Sequence, residues 1–397
     1  MVEASEHAGG EGLDWRPLSH VLGEVDPGLG EVLFLLGYDY SSNIYVFGGE
    51  ELVIVDPGND YTAYMQLFGV RQRPERVRSI VLTHGHPDHA AGIVELLRSY
   101  PTIGGEARPT LVLHRDGPDV VKEIARDFGC PVVQLTGGET LTMGGMAFEV
   151  LHTPGHTWDG ICLYHAATGT LVSGDAVLPD SVAEPDPGAG GDLRHYLASL
   201  RGLLGRTVEC VLPGHGRPVA HGGGVVEDTY RAILQRVAGG LGSSWMDVAQ
   251  ALLARGYVED CLYACGQAAE AEPENAAPRE LRAVCLNELG RFEAALEALG
   301  PVQDAESESP RTRVARGYAL MGLERYEESV GEFEAALARE PGLREAQMYK
   351  GMALYLSGRG EEALEVDVFR DEFARRFAEA IRARGTGEAP ERGGRSP

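Results

Sequence analysis

Four turn signals recur at a spacing of 34 residues in the later part of the chain: Gly256-Tyr257, Gly290-Arg291-Phe292, Glu324-Arg325-Tyr326 and Gly358-Arg359-Gly360. Leu262, Leu296, Val330 and Leu364 keep that spacing, as do Cys261, Ala295, Ser329 and Ala363; Pro273 and Pro341 stand two periods apart. A fixed period of this length constrains the fold strongly, because each unit buries its apolar face only by stacking on the next. The pattern predicts two amphipathic helices per unit, joined at the Gly-x-aromatic turn, with small residues where helices cross. It also predicts a boundary. Before Gly242 the period is absent, and from Trp15 to Gly240 the chain reads as alternating strands, turns and helices. A chain of 397 residues is long for one core. The expected organisation is a flexible N-terminus (1–14), an α/β domain (15–240), helical repeats (241–375), and a helix end with a disordered Gly/Arg/Pro-rich tail (376–397).

Within the α/β part, Asn43–Phe47 and Glu51–Val55 flank Gly48-Gly49 and read as a hairpin. Ser79–Leu82 is a short apolar strand running into a His-rich loop, and Ala90–Ser99 after it has helical spacing. Thr110–Leu113 and Phe148–Leu151 read as strands, Asp119–Phe128 as a helix, and Ile161–Tyr164 with Thr170–Ser173 as a second hairpin. Leu193–Leu204 is helical, and Val208–Leu212 is a strand ending at Pro213-Gly214-His215.

The chemistry concentrates at strand ends. Thr83-His84-Gly85-His86-Pro87-Asp88-His89 packs three histidines and an aspartate into one loop. A turn there can direct alternate side chains to two positions about 3.5 Å apart, the usual two-metal separation, and His and Asp supply the N and O ligands that zinc accepts. Three more ligand-type residues follow: His156 in Thr153-Pro-Gly-His-Thr157, Asp175 in Ser173-Gly-Asp175, and His215 in Pro213-Gly-His-Gly216. A glycine before each lets the backbone turn and present the side chain. His7, His20, His114, His152, His165, His195 and His221 lack such a setting and read as structural.

These motifs, in this order and at these separations over residues 15–235, resemble the metallo-β-lactamase superfamily. The resemblance implies an αββα sandwich, here followed by an all-α helical-repeat domain. It implies two divalent ions, zinc foremost with iron or manganese possible, one held by His84, His86 and His156, the other by Asp88, His89 and His215. Asp175 would bridge them, with a hydroxide between the ions as nucleophile. Asp56, in Val55-Asp-Pro-Gly58, matches a family residue that supports the metal loop from behind. Asp88 would also orient the hydroxide and carry the proton to the leaving group. The repeat half resembles the tetratricopeptide repeat over about residues 242–375, with small residues at Ala283, Gly317 and Gly351, and implies a surface for a protein partner or a second copy of the chain.

Departures from named branches narrow the activity. Asp175 argues against lactam antibiotics, because true β-lactamases lack an aspartate there. Ala176-Val-Leu-Pro179 lacks the tyrosine of quorum-quenching lactonases, and His86 stands where flavodiiron proteins carry glutamate. The stretch from Ser173 to Leu200 is more similar to the hydroxyacylglutathione-hydrolase-like and human β-lactamase-like branches. That makes a small or carrier-bound thioester or ester the expected substrate. The alternatives are a mononuclear iron persulfide-dioxygenase-like enzyme, a phosphodiesterase or ribonuclease, and a non-catalytic scaffold. The Pro/Gly/acid-rich stretch Asp180–Gly191 is expected to form a loop over the site and select substrate. His195 and Tyr196 after it are candidates for the pocket wall or for a partly buried helix face, and Tyr38 and Tyr40 are weaker pocket candidates.

The formal net charge of −25, with Lys122 and Lys350 the only lysines, disfavours a nucleic-acid partner. Met1–Gly12 has no basic region followed by an apolar stretch, and no apolar run reaches the roughly 20 residues of a membrane span, so a cytoplasmic location without membrane association is expected. The six scattered cysteines form no CxxC pair and read as reduced and structural.

Overall fold

The computed structural model describes residues 14–38, 40–59, 62–240, 242–300 and 308–386. Both the expected flexible N-terminus, apart from Asp14, and the expected tail beyond residue 386 lie outside the described residues. The chain divides into two compact units, Met1–Ile233 and Leu234–Pro397.

Among its described residues the first unit carries thirteen strands: β1 (Arg16–Pro17), β2 (Leu33–Leu35), β3 (Ile44–Phe47), β4 (Leu52–Val55), β5 (Val77–Val81), β6 (Thr110–His114), β7 (Val132–Leu135), β8 (Thr140–Met143), β9 (Met146–His152), β10 (Ile161–His165), β11 (Thr170–Gly174), β12 (Cys210–Pro213) and β13 (Val219–Ala220). Strands β1 to β7 form one sheet in sequence order, and the second sheet runs β13-β12-β11-β10-β9-β8. Both sheets are mixed: β4 to β7 pair in parallel, as do β11 and β12, while the remaining neighbours are antiparallel.

Side-chain alternation explains the layers. Tyr45, Phe47, Val53 and Val55 belong to one apolar cluster with Phe148, Val150, Leu163 and Leu212 of the second sheet. Phe47 meets Phe148 edge-on, ring centroids 5.4 Å apart. Their chain neighbours Ile44, Val46, Leu52 and Ile54 belong to a separate cluster with Tyr64, Ile93, Leu96 and Ala125, which lie on helices. The β3–β4 hairpin is thus buried on both faces, which is why its sequence is a continuous apolar run and not an alternation. Helix Leu193–Leu204 buries Tyr196, Leu197, Leu200 and Leu203 and is tied to the end of β9 by Ser199 Oγ, which donates to Pro154 O at 2.7 Å. The predicted elements are present to within a residue or two. Strands β1, β2, β7, β8 and β13, each only two to four residues long, and helix Gly222–Val237, which opens on three glycines, were not anticipated; such short or glycine-led stretches carry little periodic signal.

In the second unit the described helices come in pairs: Trp245–Ala254 with Val258–Ala271, Ala277–Glu288 with Phe292–Leu299, Pro310–Gly322 with Tyr326–Arg339, and Arg344–Leu356 with Gly360–Glu365, followed by Asp367–Thr386. Each pair breaks at the predicted turn, where Gly256, Gly290, Glu324 and Gly358 have φ of 76°, 70°, 61° and 87°. Cys261, Ala295, Ser329 and Ala363 are fully buried. An equivalent bond recurs two periods apart: Cys261 Sγ donates to Ala249 O at 3.2 Å and Ser329 Oγ to Gly317 O at 2.8 Å. The small residues are sterically required, because a Cβ on Gly351 would lie 2.3 Å from Cβ of Phe369. All six cysteines are free and buried. No helix among the described residues is long and apolar enough to cross a membrane.

Candidate metal centre

Strands β4 and β5 of one sheet, and β9, β11 and β12 of the other, end at one common edge. The residues just past those ends are Asp56, His84–His89, His156, Asp175 and His215. Three overlapping groups there are compact enough to hold a metal ion: His84 with His86 and His156, Asp88 with His89 and His215, and His84 with His89 and Asp175. The first two are the sets implied by the sequence resemblance, and Asp175 adjoins both.

In the first group, hydrogen bonds on the far side of each ring decide which nitrogen is bare. The Asp56 carboxylate accepts from Thr83 Oγ1 at 2.6 Å, so that hydroxyl accepts from His84 Nδ1 at 3.2 Å. His86 Nε2 donates to Asp186 Oδ2 at 3.0 Å, and His156 Nδ1 donates to Glu184 O at 2.6 Å. The remaining nitrogens, His84 Nε2, His86 Nδ1 and His156 Nε2, point their lone pairs at one another, with His86 Nδ1 3.1 Å from each of the other two. Nitrogens bound tetrahedrally at about 2.0–2.1 Å stand roughly 3.3 Å apart, so the spacing fits a first-row divalent ion. Burial, with His89 alongside, holds the His84 imidazole well below its ordinary range, and burial also lowers His156. Both rings therefore keep their lone pairs at neutral pH.

The second group is carboxylate-rich. His89 is fully buried, and its Nδ1 donates to Asp56 Oδ2 at 2.9 Å. Its Nε2 has no hydrogen-bond partner among the described residues and stands 3.4 Å from Asp175 Oδ1 and 3.6 Å from Asp88 Oδ2. His215 Nε2 lies 3.0 Å from Asp88 Oδ2 and 3.6 Å from Asp175 Oδ2. Burial opposes charge on His89, but Asp56 and Asp175 outweigh it and raise its pKa well above normal. Burial likewise opposes ionisation of Asp175, yet His89 and the other imidazoles pull it far below the carboxylate range. Asp88 is lowered too, its burial overcome by the His215 hydrogen bond and the His89 charge. A buried nitrogen facing two carboxylates calls for a cation between them, so both donor sets suit divalent ions.

The supporting frame is tight. Asp56 adopts φ of 49° and accepts from Thr83 N at 2.7 Å as well as from Thr83 Oγ1 and His89. Gly174 turns at φ of 49°, as the sequence led one to expect. Gly214 is needed for space, because a Cβ there would sit 2.2 Å from Asp175 Oδ1 and 2.7 Å from His89 Cε1. Asn43 was missed from sequence: its Nδ2 donates to Pro213 O at 2.9 Å and to Gly216 O at 2.7 Å, holding the His215 loop against the β3–β4 hairpin. One polar residue opening an apolar strand was its only signal. Asp186 was also missed, as one acid among several in Asp180–Gly191.

Of the two expectations for Tyr196, the pocket wall needs correction and the helix face holds. It is 1% exposed, its hydroxyl donates to Ala176 O at 3.0 Å, and a Cβ on Gly155 would lie 2.5 Å from it. It braces the backbone beside Asp175 and is closed to substrate. His195, half-exposed, stands 3.0 Å from Asp192 Oδ1 and edge-on to Trp158, beside an open concavity of about 510 Å³ lined also by His152, Pro154 and Ser199. Tyr38 and Tyr40 are exposed.

The comparisons agree with this geometry. The family model described as metallo-beta-lactamase superfamily matches residues 37–215. Uncharacterized protein ML0493 of Mycobacterium leprae is 34% identical over 198 residues, which are 45% of this chain and 88% of that protein. The chain belongs to the metallo-beta-lactamase superfamily. Beta-lactamase-like protein 2 homolog of Drosophila melanogaster is 30% identical over 190 residues, 47% of this chain and 62% of the relative. Thioesterase pkgB of Emericella nidulans is 29% identical over 235 residues, 55% of this chain and 59% of the relative. The chain thus spans about three-fifths of the length of these last two relatives.

Proposed function

We propose that the chain is a metal-dependent hydrolase of a thioester or ester, its ions held by His84, His86 and His156 and by Asp88, His89 and His215, with Asp175 shared. The observation that carries this reading is the convergence of three bare imidazole nitrogens beside a buried nitrogen flanked by two carboxylates. Divalent ions in such a site make hydroxide available near neutral pH and polarise the scissile carbonyl. Asp88, half-buried and bonded to His215, is placed to take the proton of the attacking water and return it to the departing thiolate or alkoxide as the acyl bond breaks. Asp56 holds His89 directly and His84 through Thr83, so that the Nε2 atom of each ring faces the site. Thioester cleavage is favoured because a matched relative is a thioesterase. The helical unit, with its tetratricopeptide-like period, would dock a protein, such as a carrier bearing the acyl group, or a second copy of the chain.

Elemental analysis of the purified chain, beside thioester, lactone, phosphodiester and persulfide substrates, tests the reading. Two ions per chain with thioester turnover, lost in His84→Ala, is the expected result. One iron with oxygen uptake on persulfide, or turnover of phosphodiesters alone, overturns it.

A further inference from the structure

Two of the three histidines in the first group take their orienting hydrogen bonds from a single surface segment. Within Asp180–Gly191, Glu184 O accepts from His156 Nδ1 and Asp186 Oδ2 accepts from His86 Nε2. The segment is fastened along its length: Asp186 N donates to His156 O at 2.7 Å, Trp158 N to Ala189 O at 2.9 Å, and Asp192 N to Gly155 O at 2.9 Å. It crosses His156 so closely that a Cβ on Gly191 would lie 2.2 Å from the His156 carbonyl oxygen. The Asp186 carboxylate is itself aimed by its own turn. Oδ1 accepts from Gly188 N at 2.8 Å at the start of the short helical turn Pro187–Ala189, which leaves Oδ2 for His86. The partners of His84 and His89, by contrast, are Thr83 and Asp56 at the ends of β5 and β4, inside the fold.

We infer that Asp186 is a positioning residue for one metal site only, and that the Asp180–Gly191 segment is part of that site and not merely a cover over it. This rests on the proposed metal assignment. A carboxylate accepting from the far nitrogen of a ligand imidazole fixes the ring and makes the bound nitrogen more basic. Loss of Asp186 therefore weakens the ion at His84, His86 and His156 and leaves the ion at Asp88, His89 and His215, whose support comes from Asp56. Linkage makes the effect reciprocal: filling the first site steadies the segment, and anything that displaces the segment loosens that ion.

The test uses the full chain stripped of metal and titrated with Zn2+ against a chelating dye, with amide hydrogen exchange read over residues 180–192. In the wild type, two Zn2+ bind and exchange over the segment slows. In Asp186→Ala, one of the two is expected to bind about 10–100-fold more weakly, and the slowing is lost until that ion is driven on. Asp186→Asn, which can still accept from Nε2, recovers part of the affinity, and Ser181→Ala in the same segment behaves as wild type. Two sites of unchanged affinity in Asp186→Ala, with unchanged Zn2+-induced protection, overturn this inference and leave the metal assignment standing. Equal weakening of both sites overturns its selectivity claim. A wild-type chain that binds no Zn2+ overturns both.

Discussion

Asp56 and Glu324 are non-glycine residues in the same left-handed backbone region, with φ of 49° and 61°. This costs an L-residue roughly 1–2 kcal/mol. Asp56 is buried at the end of β4, where its conformation lets one carboxylate accept from Thr83 N, Thr83 Oγ1 and His89 Nδ1. Glu324 is exposed at a helix–helix turn where the equivalent positions one period before and after are Gly290 and Gly358. The same strain is thus offset by three buried bonds at Asp56, whereas the Glu324 side chain makes no such bond among the described residues. Strain indicates function only where the side chain it presents has buried partners.

The largest expected effect tests the first half of that contrast. Asp56→Gly relieves the backbone but leaves buried donors on Thr83 and His89 unmet, each costing about 1–3 kcal/mol. We expect a net loss of about 3 kcal/mol in urea unfolding and about 10–100-fold weaker Zn2+ binding in dye competition. A gain in stability would erase the distinction between the two residues.

An intermediate effect sharpens the comparison between the units themselves. All 12 histidines precede residue 222, so the helical unit has none. Burial, with the His152 ring stacked on it, pushes the His114 imidazole down to about 4. Its Nδ1 accepts from Asp116 N at 3.3 Å, which suits the neutral ring. Because the folded pKa lies below the ordinary 6.5, the unfolded chain takes up protons first. Stability from this residue is intact above about pH 6.5, falls as pH drops towards 4, and changes no further below that. Thermal unfolding followed in the metal-stripped protein should show a shallower acid slope for His114→Asn than for the wild type. Parallel slopes would remove His114 as a source of acid sensitivity.

The smallest effect tests Glu324. Glycine adopts the turn freely, so Glu324→Gly should stabilise the helical unit by about 1 kcal/mol, measured by chemical denaturation. A loss of stability would mean that the Glu324 side chain contributes a contact outweighing its strain.

Much of the site was readable in sequence because metal ligation demands few residue types at short spacings. His84, His86, Asp88 and His89 share one loop, and His156, Asp175 and His215 each follow a glycine at a strand end. The repeat was equally plain, because a turn needing positive φ and a crossing needing a small side chain return every 34 residues. Tyr196 stayed open between pocket wall and helix face because an aromatic on an amphipathic helix beside a site can face either the pocket or the core, and only packing against Gly155 settles which. Asn43 and Asp186 escaped because their partners lie 170 and 100 residues away.

By itself, then, the sequence determined which side chains could hold metal and that a helical repeat follows, since both depend on local spacing and on residue chemistry. Tertiary structure alone decided which nitrogen of each histidine is bare, that Gly214 must lack a side chain, and that an acidic surface segment orients His86 and His156. Those features depend on what the two sheets and the segment bring to the far side of each ring, and no local pattern records a contact made across the fold.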